Sequence, residues 1–192
     1  MELKDVLNTH GIVGVIGNYQ NKIDIKGKVK DIPLKDISKA LKMVLLDDDY
    51  LDKNIDDLSI SEYFKIVLMS KLEDDVIIIG NLSNTLIYKD REYIKKLLIK
   101  LNKDYNKKIV VIDQDLRAFF DLVKYICVVD NNSIIYSTDN YFDEYLYKYV
   151  NAPRIVGFIN YINRNNKRIN ETTDIYELIK DIFRCVSWNI WW

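Results

Sequence analysis

Five short apolar runs recur along the chain, and they constrain its fold more than any other feature of the sequence. Each run is rich in β-branched residues and lacks the alternation of polar and apolar positions that marks a half-exposed strand. The runs occupy residues 11–17, 42–46, 76–80, 108–112 and 125–129. Strands with this pattern are covered on both faces, as in a parallel sheet. Short buried helices are the alternative, and the run lengths favour strands.

Stretches with helical periodicity lie between most of these runs. One follows a Ser59 or Ser61 cap, and another follows an Asp113 or Asp115 cap. Their apolar stripes comprise Ile60, Phe64, Val67 and Leu68; Ile94, Leu97, Leu98 and Leu101; and Leu116, Phe119, Phe120 and Val123. Strands joined by such helices predict an α/β fold, with a largely parallel sheet flanked by helices. A terminal hairpin is predicted near 130–136.

The pattern changes after Val150, where two amphipathic helices remain near 154–163 and 174–186. A polar, basic linker at 163–168 joins them. We place a boundary near Asn151-Ala-Pro153. Residues 1–150 are therefore predicted to form the sheet domain, and residues 151–192 a small C-terminal helical element.

Composition excludes several classes of protein. The 192 residues include 28 Lys+Arg and 29 Asp+Glu, so the net charge of -1 argues against a strongly basic nucleic-acid binder. The cysteines, Cys127 and Cys185, and the single histidine, His10, have no metal-ligand spacing, and no metal is expected. No apolar run approaches the ~20 residues that span a bilayer. The N-terminus carries no secretory signal, and the residue bias is typical of an AT-rich bacterial genome, so a cytoplasmic protein is expected.

From Leu58 to Ser137 the order of elements resembles an ABC-transporter ATPase subunit, a P-loop NTPase. Leu58-Ser-Ile-Ser-Glu62 stands where that family has Leu-Ser-Gly-Gly-Gln at the start of a helix. The further matches, in chain order, are Asp75–Ile79 for the Walker B strand, Leu82–Leu86 for the approach to the D-loop, Asp113–Leu116 for Ser-His-Asp-Leu, and Val128–Ile135 for a hairpin. The resemblance implies a shortened ABC ATPase-like fold.

Outside that region the resemblance is looser. Residues 11–17 are similar to the strand entering the phosphate loop, and residues 25–37 to the segment before the Q-loop. Between them there is almost no room for the helix that follows the phosphate loop in the family. The tail, 151–186, resembles the C-terminal helical element of energy-coupling-factor ATPases, which drive vitamin and metal uptake.

The resemblance also implies roles that the matching residues cannot fill. The phosphate loop needs a second glycine, a lysine and a hydroxyl at fixed spacing. Here Gly17 and Asn18 begin the loop, Lys22 is mis-spaced, and the second glycine and the hydroxyl are absent. The Walker B strand ends in Gly80-Asn81, where the family has Asp-Glu for Mg²⁺ and the attacking water.

Four further motifs depart from the family pattern. In the signature Leu58, Ser59, Ile60, Ser61, Glu62 the two glycines are replaced by Ile60 and Ser61, whose side chains block close approach to a phosphate. Gln114 replaces the switch histidine. The D-loop Asp falls at Ile87, and the Q-loop Gln at Leu46 or Asp47. The changes together predict a subunit that does not hydrolyse ATP alone and holds no cofactor.

Two other features have competing interpretations. The acidic cluster within 47–57 could bind Mg²⁺ or Ca²⁺, but it lacks EF-hand spacing, and a solvated loop is favoured. Trp188, Trp191 and Trp192 crowd the C-terminus. They either fold back onto the domain or meet a partner or a membrane interface.

Two functions are compatible with these observations. The first is a catalytically inactive ABC-type subunit that pairs with a competent ATPase, a membrane component or itself, with peripheral association at the inner membrane face. The second is a stand-alone binding or regulatory module on the same fold. An enzyme with a new site is disfavoured because we find no nucleophile–base pair.

Deleting residues 187–192 is expected to lower either the melting temperature or self-association. Burying three indoles contributes several kcal/mol, at about 25 cal/mol per Å². Calorimetry and sedimentation distinguish an internal contact from an interface. A truncated chain that melts, sediments and partitions to membranes like the full chain would mean that the Trp cluster has no structural role.

Overall fold

The computed structural model describes residues 3–17, 26–130, 133–165 and 169–188. The strands are β1 Ile12–Ile16, β2 Val76–Gly80, β3 Lys108–Asp113, β4 Tyr125–Asp130 and β5 Ser133–Thr138. The α-helices are α1 Leu3–His10, α2 Ile37–Met43, α3 Ile60–Ser70, α4 Leu82–Thr85, α5 Tyr88–Tyr105, α6 Arg154–Arg164 and α7 Ile175–Trp188.

These strands form one sheet in the order β2-β3-β1-β4-β5 within the described part of the chain. β1 runs parallel to both β3 and β4, β2 runs parallel to β3, and β5 returns antiparallel to β4. The α/β fold, the largely parallel sheet and the closing hairpin are therefore confirmed. The hairpin turn at Asn131 and Asn132 lies outside the described residues.

The two faces of the sheet are covered differently. One face carries the main core, where side chains of the strands pack against α2, α3 and α5, with Phe64 and Leu98 fully buried. The other face is covered at its centre by α1, whose Val6 and Leu7 pack on β1, β3 and β4. Both faces of β1 are thereby buried, which explains why its sequence does not alternate.

A glycine in β1 permits a close approach on the main-core face. A Cβ added at Gly14 would lie 3.0 Å from atoms of Phe119 and of Val123. Such distances are tighter than ordinary van der Waals contact, so a side chain here would push the 119–123 segment off the sheet. Gly14 therefore sets how closely that segment packs on the central strand.

The expected strand at 42–46 is wrong, because these residues end a helix. Asp36 caps α2 by accepting a hydrogen bond from the Lys39 amide at 2.9 Å. Leu41 and Val44 are buried on the inner side of this helix. The chain then turns at Leu45, whose φ of 60° is left-handed. The apolar run was the end of a helical stripe that began upstream.

The expected helix over 116–123 is reduced to one 3₁₀ turn, Leu116–Ala118. The segment is interrupted at Asp121, whose φ of 62° is left-handed, and tertiary donors bind its carbonyl groups. The Tyr141 hydroxyl donates to the carbonyls of Phe119 and Val123 at 3.0 and 2.7 Å. The Lys95 ammonium donates to the carbonyl of Phe120 at 3.0 Å. These contacts hold the segment as irregular turns.

The two C-terminal helices lie where they were predicted, as α6 and α7. A separate apolar cluster joins them, built on Ile159, Ile169 and Leu178. The stripe predicted on α5 is buried, and so is that on α3 except for Ile60, which is 72% exposed at the first position of the helix. Among the described residues no helix is long and apolar enough to cross a membrane.

Both edges of the sheet carry features that discourage further strand pairing. On β2, the Lys71 ammonium donates to the Ile78 carbonyl at 2.7 Å. On β5, the register against β4 shifts between Val128 and Val129, so the edge strand bulges. Edge lysines and bulges both hinder pairing with another strand.

A partly buried ion pair links α3 to α5 and generates a stability prediction. The Lys65 ammonium lies 2.6 Å from the Asp90 carboxylate, and their side chains are 9% and 17% exposed. Removing the carboxylate by Asp90→Ala leaves a buried charge, which is expected to cost about 3 kcal/mol of unfolding free energy. Urea denaturation measures this loss. Asp104→Ala, at an exposed position of the same helix, is the control and should change little. An equal loss in both variants would contradict the assignment.

Candidate functional site

The carboxyl ends of the parallel strands bring several of the predicted site residues together. Gly17 follows β1, Gly80-Asn81 closes β2, and Asp113-Gln114 closes β3. Backbone hydrogen bonds join them, from the Gly17 amide to the Asp113 carbonyl at 3.2 Å and from the Asn81 amide to the Ile112 carbonyl at 3.0 Å. Open α/β sheets bind ligands at this edge, so it is the candidate site.

Asp113 is the buried acid of this edge, with 1% of its surface exposed. One of its oxygens, Oδ1, accepts hydrogen bonds from the Ser83 hydroxyl at 2.8 Å and the Asp115 amide at 3.0 Å. The other, Oδ2, accepts from the Ser83 amide at 3.1 Å. The hydrogen bonds of this carboxylate with Ser83 therefore connect the end of β3 to the start of α4. The sequence indicates Asp113 as a helix cap and as the first residue of the Ser-His-Asp-Leu match, and this structural role was not predicted. An acid directly after a buried strand was the signal for its role.

Asn81 occupies the position after β2 in a left-handed conformation, with a φ of 57°. Its carbonyl accepts from the Thr85 hydroxyl at 2.6 Å, within the short helix α4. Asparagine tolerates this conformation better than most residues because its short polar side chain bonds locally. The residues at the end of β2 are thus a glycine and an asparagine, whose side chain carries an amide in place of a carboxylate.

Gln114 is exposed and begins the turn after β3. The next residue, Asp115, caps the 3₁₀ turn by accepting from the Arg117 amide at 2.9 Å. The Arg117 guanidinium returns to the same carboxylate, with a closest contact of 2.5 Å. The predicted cap at Asp115 is thus present, and its charge is paired locally.

The segment that resembles the family signature, Leu58–Glu62, forms the capped N-terminus of α3. Ser59 caps α3 by accepting from the Glu62 amide at 3.3 Å, and the Ser59 amide donates to the Glu62 carboxylate at 2.8 Å. The Tyr50 hydroxyl also donates to Glu62, and the Lys53 ammonium lies 3.5 Å away. Hydrogen bonds from Ser59 and Tyr50 lower the pKa of Glu62 from 4.5 to about 2. This is a capping box, and it accounts for Ser59 and Glu62 without a ligand.

A cavity of about 970 Å³ lies between the carboxyl edge and the C-terminal helices. Gln114, Asp115 and Arg117 line it on the sheet side. The C-terminal element supplies the other wall, with Asn151, Ala152, Pro153, Arg154, Ile155, Phe158, Ile175 and Leu178. The cavity is an open cleft, and its C-terminal wall mixes polar groups, Asn151 and Arg154, with apolar ones.

The remaining predicted site residues lie away from the carboxyl edge or outside the described residues. Leu58 precedes the capping box and Ser61 lies within it, and both are partly exposed. Trp188 is the last residue of α7. The positions that lie outside the described residues are Asn18, Lys22, Trp191 and Trp192.

The acidic cluster within 47–57 is engaged in local contacts. Asp52 lies 3.3 Å from the Lys28 ammonium and 2.8 Å from the Lys30 ammonium. Asp47 accepts from the Asp49 amide at 3.2 Å. Over the described residues no three His, Cys, Asp or Glu side chains converge as a metal site would require.

Comparison with known proteins identifies the fold. No protein-family model matches the chain, and no curated protein matches it. Among solved structures, cbiO1 from Clostridium perfringens, part of the ABC transporter complex cbiONQ, aligns over 82% of this chain and 70% of its own, at 18% identity and a TM-score of 0.50. The ATP-binding cassette MJ0796 with ADP and phosphate aligns over 72% and 67%, at 15% identity and a TM-score of 0.53.

The chain therefore has the fold of the ABC transporter ATPase cassettes, in a shortened form, and the resemblance drawn from its sequence is confirmed at that level. In another match, a dimeric MJ0796 structure, the alignment at 22% identity covers 52% of this chain and spans less than half of that cassette, 44%, with a TM-score of 0.46. The sequence places the candidate phosphate-loop, Walker B and switch positions at Gly17, Gly80-Asn81 and Gln114, and in the structure these share one edge of the sheet.

The capping box predicts how stability depends on pH. Because the pKa of Glu62 is lowered on folding, its contribution is present above pH 4.5 and is lost as pH falls toward 2. Glu62→Gln keeps an acceptor for the Ser59 amide but removes the charge that strengthens the hydrogen bonds from Ser59 and Tyr50, so it is expected to lower the unfolding free energy by about 1 kcal/mol at neutral pH. The difference in stability between this variant and the parent chain should become smaller below pH 4.5, which thermal melts taken at a series of pH values measure. A gap independent of pH would contradict this role.

Proposed function

We propose that the chain is a catalytically inactive ABC-type ATPase-like subunit, a pseudo-ATPase, that acts through protein–protein contacts. The observation that carries the proposal is the use of the edge carboxylate. Both carboxylate oxygens of Asp113 accept hydrogen bonds, from Ser83 and from the Asp115 amide, and β2 ends in Gly80-Asn81. The one buried carboxylate at this edge is thus committed to structural contacts, and the neighbouring strand ends without an acid.

Phosphoryl transfer explains why these substitutions matter. The reaction needs Mg²⁺ held near the transferred phosphate and a side chain that orients the attacking water. Asn81 has no carboxylate to supply, and Gln114 is neutral where a histidine would act. The altered loop from Gly17 to Lys22 removes phosphate contacts as well. Losing one transition-state contact typically costs ~10²–10³ in rate, so joint loss should abolish turnover.

The proposal of a protein partner is supported by the assemblies in which the similar structures are found. MJ0796 is described as a dimer, and cbiO1 as part of a transporter complex. We therefore infer contact with a competent ATPase, a membrane component or a second copy, and a cytoplasmic location at the inner face of a membrane. We also infer a division near residue 150, because α6 and α7 share an apolar cluster that is separate from the main core and that Phe142 joins from the sheet domain. No nucleic-acid or metal partner is proposed.

A second candidate is a stand-alone binding or regulatory module. The cavity of about 970 Å³ favours it, because its volume is near the upper end for ligand pockets and its walls come from both parts of the chain. A small molecule bound there would contact Arg154 and Phe158. Such a module would act without a transporter, so co-purification with a membrane fraction separates the two candidates.

Calorimetry with Mg-ATP tests the main proposal. No binding tighter than about 1 mM is expected, equivalent to roughly 4 kcal/mol. A competent cassette titrated in the same buffer is the positive control, and Mg²⁺ alone is the blank. Micromolar affinity for Mg-ATP would overturn the proposal that the nucleotide chemistry is lost.

A further inference from the structure

The cleft between the carboxyl edge and the C-terminal helices has one positive charge on its wall that the other lining residues do not balance. Its charged lining residues are Asp115, Arg117 and Arg154. The Arg117 guanidinium binds the Asp115 carboxylate, with Nε 2.9 Å from Oδ2, so these two charges cancel. The Arg154 guanidinium has no ion pair or hydrogen bond with any residue in the described part of the chain. The lining therefore has a surplus cation, which attracts an anion into the cleft.

Arg154 occupies a position that helix stability does not favour. It is the first residue of α6, a helix without an acid in its first turn, and Pro153 before it makes no side-chain capping hydrogen bond. A cation at this end of a helix faces the positive pole of the helix dipole, which lowers helix stability. An anion bound beside Arg154 would offset this cost, because it would favour both the guanidinium and the helix end.

Two large apolar side chains remain about half exposed on the same wall. Phe158 of α6 and Ile175 of α7 both line the cleft, and they are 43% and 53% exposed. The next residue of α6, Ile159, is by contrast buried in the cluster that joins the two helices. A molecule that enters the cleft removes the apolar surface of Phe158 and Ile175 from water, and this burial contributes to its affinity.

The spacing of the charge and the ring sets the dimensions of a ligand. Arg154 and Phe158 are four residues apart in α6 and both line the cleft, so they share one side of the helix. A helix rises about 6 Å over four residues. A ligand that contacts both side chains therefore has a negative group and an apolar group separated by about that distance.

We propose that the cleft binds a small monocarboxylate with an apolar body, its carboxylate on Arg154 and its body against Phe158 and Ile175. A carboxylate matches the planar guanidinium, which can donate two parallel hydrogen bonds to it. The side-chain amides of Gln114 and Asn151, which also line the cleft, carry further N–H donors.

Charge distinguishes this ligand from a nucleotide. The single surplus cation balances a monoanion, whereas a polyphosphate would bring several negative charges close to the Asp115 carboxylate. The cleft is therefore selective for a singly charged ligand.

This inference rests on the second candidate function, a stand-alone binding module, and deepens it by naming the class of ligand that the cleft takes. It does not depend on the proposed loss of ATPase chemistry, because neither Arg154 nor Phe158 belongs to the positions that resemble the nucleotide motifs.

Titration of the full chain with 4-phenylbutanoate, followed by amide chemical shifts in NMR spectra, tests the ligand class. This probe carries a carboxylate and a ring at about the required separation, and a dissociation constant on the order of 0.1–1 mM is expected for a ligand of its size. The charge-reversed 4-phenylbutylamine should bind at least about tenfold more weakly. Benzoate, in which the ring adjoins the acid and cannot reach both side chains, should bind about threefold to tenfold more weakly.

Two variants with matched controls on the same helix test the contacts. Arg154→Gln should weaken binding of 4-phenylbutanoate at least about tenfold. Arg164→Gln, at the other end of α6 and outside the cleft lining, should leave it unchanged. Phe158→Ala should weaken binding about threefold to tenfold, whereas Tyr161→Ala, at a position 66% exposed outside the lining, should not. Circular dichroism of each variant checks that the helices persist.

Three outcomes would overturn the proposal: no saturable binding of 4-phenylbutanoate up to about 20 mM, equal effects of Arg154→Gln and Arg164→Gln, or equal affinity for the amine. If the amine binds as tightly and Phe158→Ala weakens both ligands, the ligand class is wrong while the second candidate function stands. Co-purification with a membrane fraction tests that function without any of these probes, so the two can fail separately.

Discussion

Burial of β1 on both faces is the constraint on which the rest of the structure depends. The strand lies between β3 and β4, with α1 on one side and the main core on the other. A parallel strand in this position must be apolar throughout, and its neighbours must reach it by crossovers. Those crossovers place the ends of β1, β2 and β3 at one edge, which creates the candidate site.

The same edge shows how a fold can persist while its chemistry changes. Asp113 is a buried carboxylate, and such a group is costly unless its oxygens are hydrogen-bonded. Ser83 and Asp115 satisfy it, and in doing so they tie α4 and the 3₁₀ turn to β3. A structural role for the acid makes the edge stable without any ligand, which is consistent with a subunit that works through its surfaces.

The C-terminal helices and the sheet edges expose different groups. The inner sides of α6 and α7 share a small apolar cluster, and the outer side of α7 carries exposed apolar side chains. At the sheet edges, the Lys71 ammonium binds the Ile78 carbonyl, and β5 bulges against β4. Pairing of a further strand with either edge is therefore discouraged.

The sequence by itself determined the elements whose signals are local and strong. The continuous apolar runs at β1, β2, β3 and β4 and the stripe of α5 were sufficient to predict the α/β class and the parallel sheet. Through motif order they also placed Gly80-Asn81 and Gln114 at the candidate edge. The expectation of burial on both faces is wrong for the edge strand β2, where Val76 and Ile78 are 43% and 36% exposed.

Only the tertiary structure decided the rest. Residues 42–46 ended a helix. Residues 116–123 became turns, with a left-handed residue at Asp121 and with carbonyl groups that also accept hydrogen bonds from Tyr141 and Lys95, which are distant in sequence. The bonding of Asp113 to Ser83 and the cavity between the carboxyl edge and the C-terminal helices likewise required coordinates. These last three outcomes depend on partners that are remote along the chain, and local propensity does not specify which remote group will be the partner.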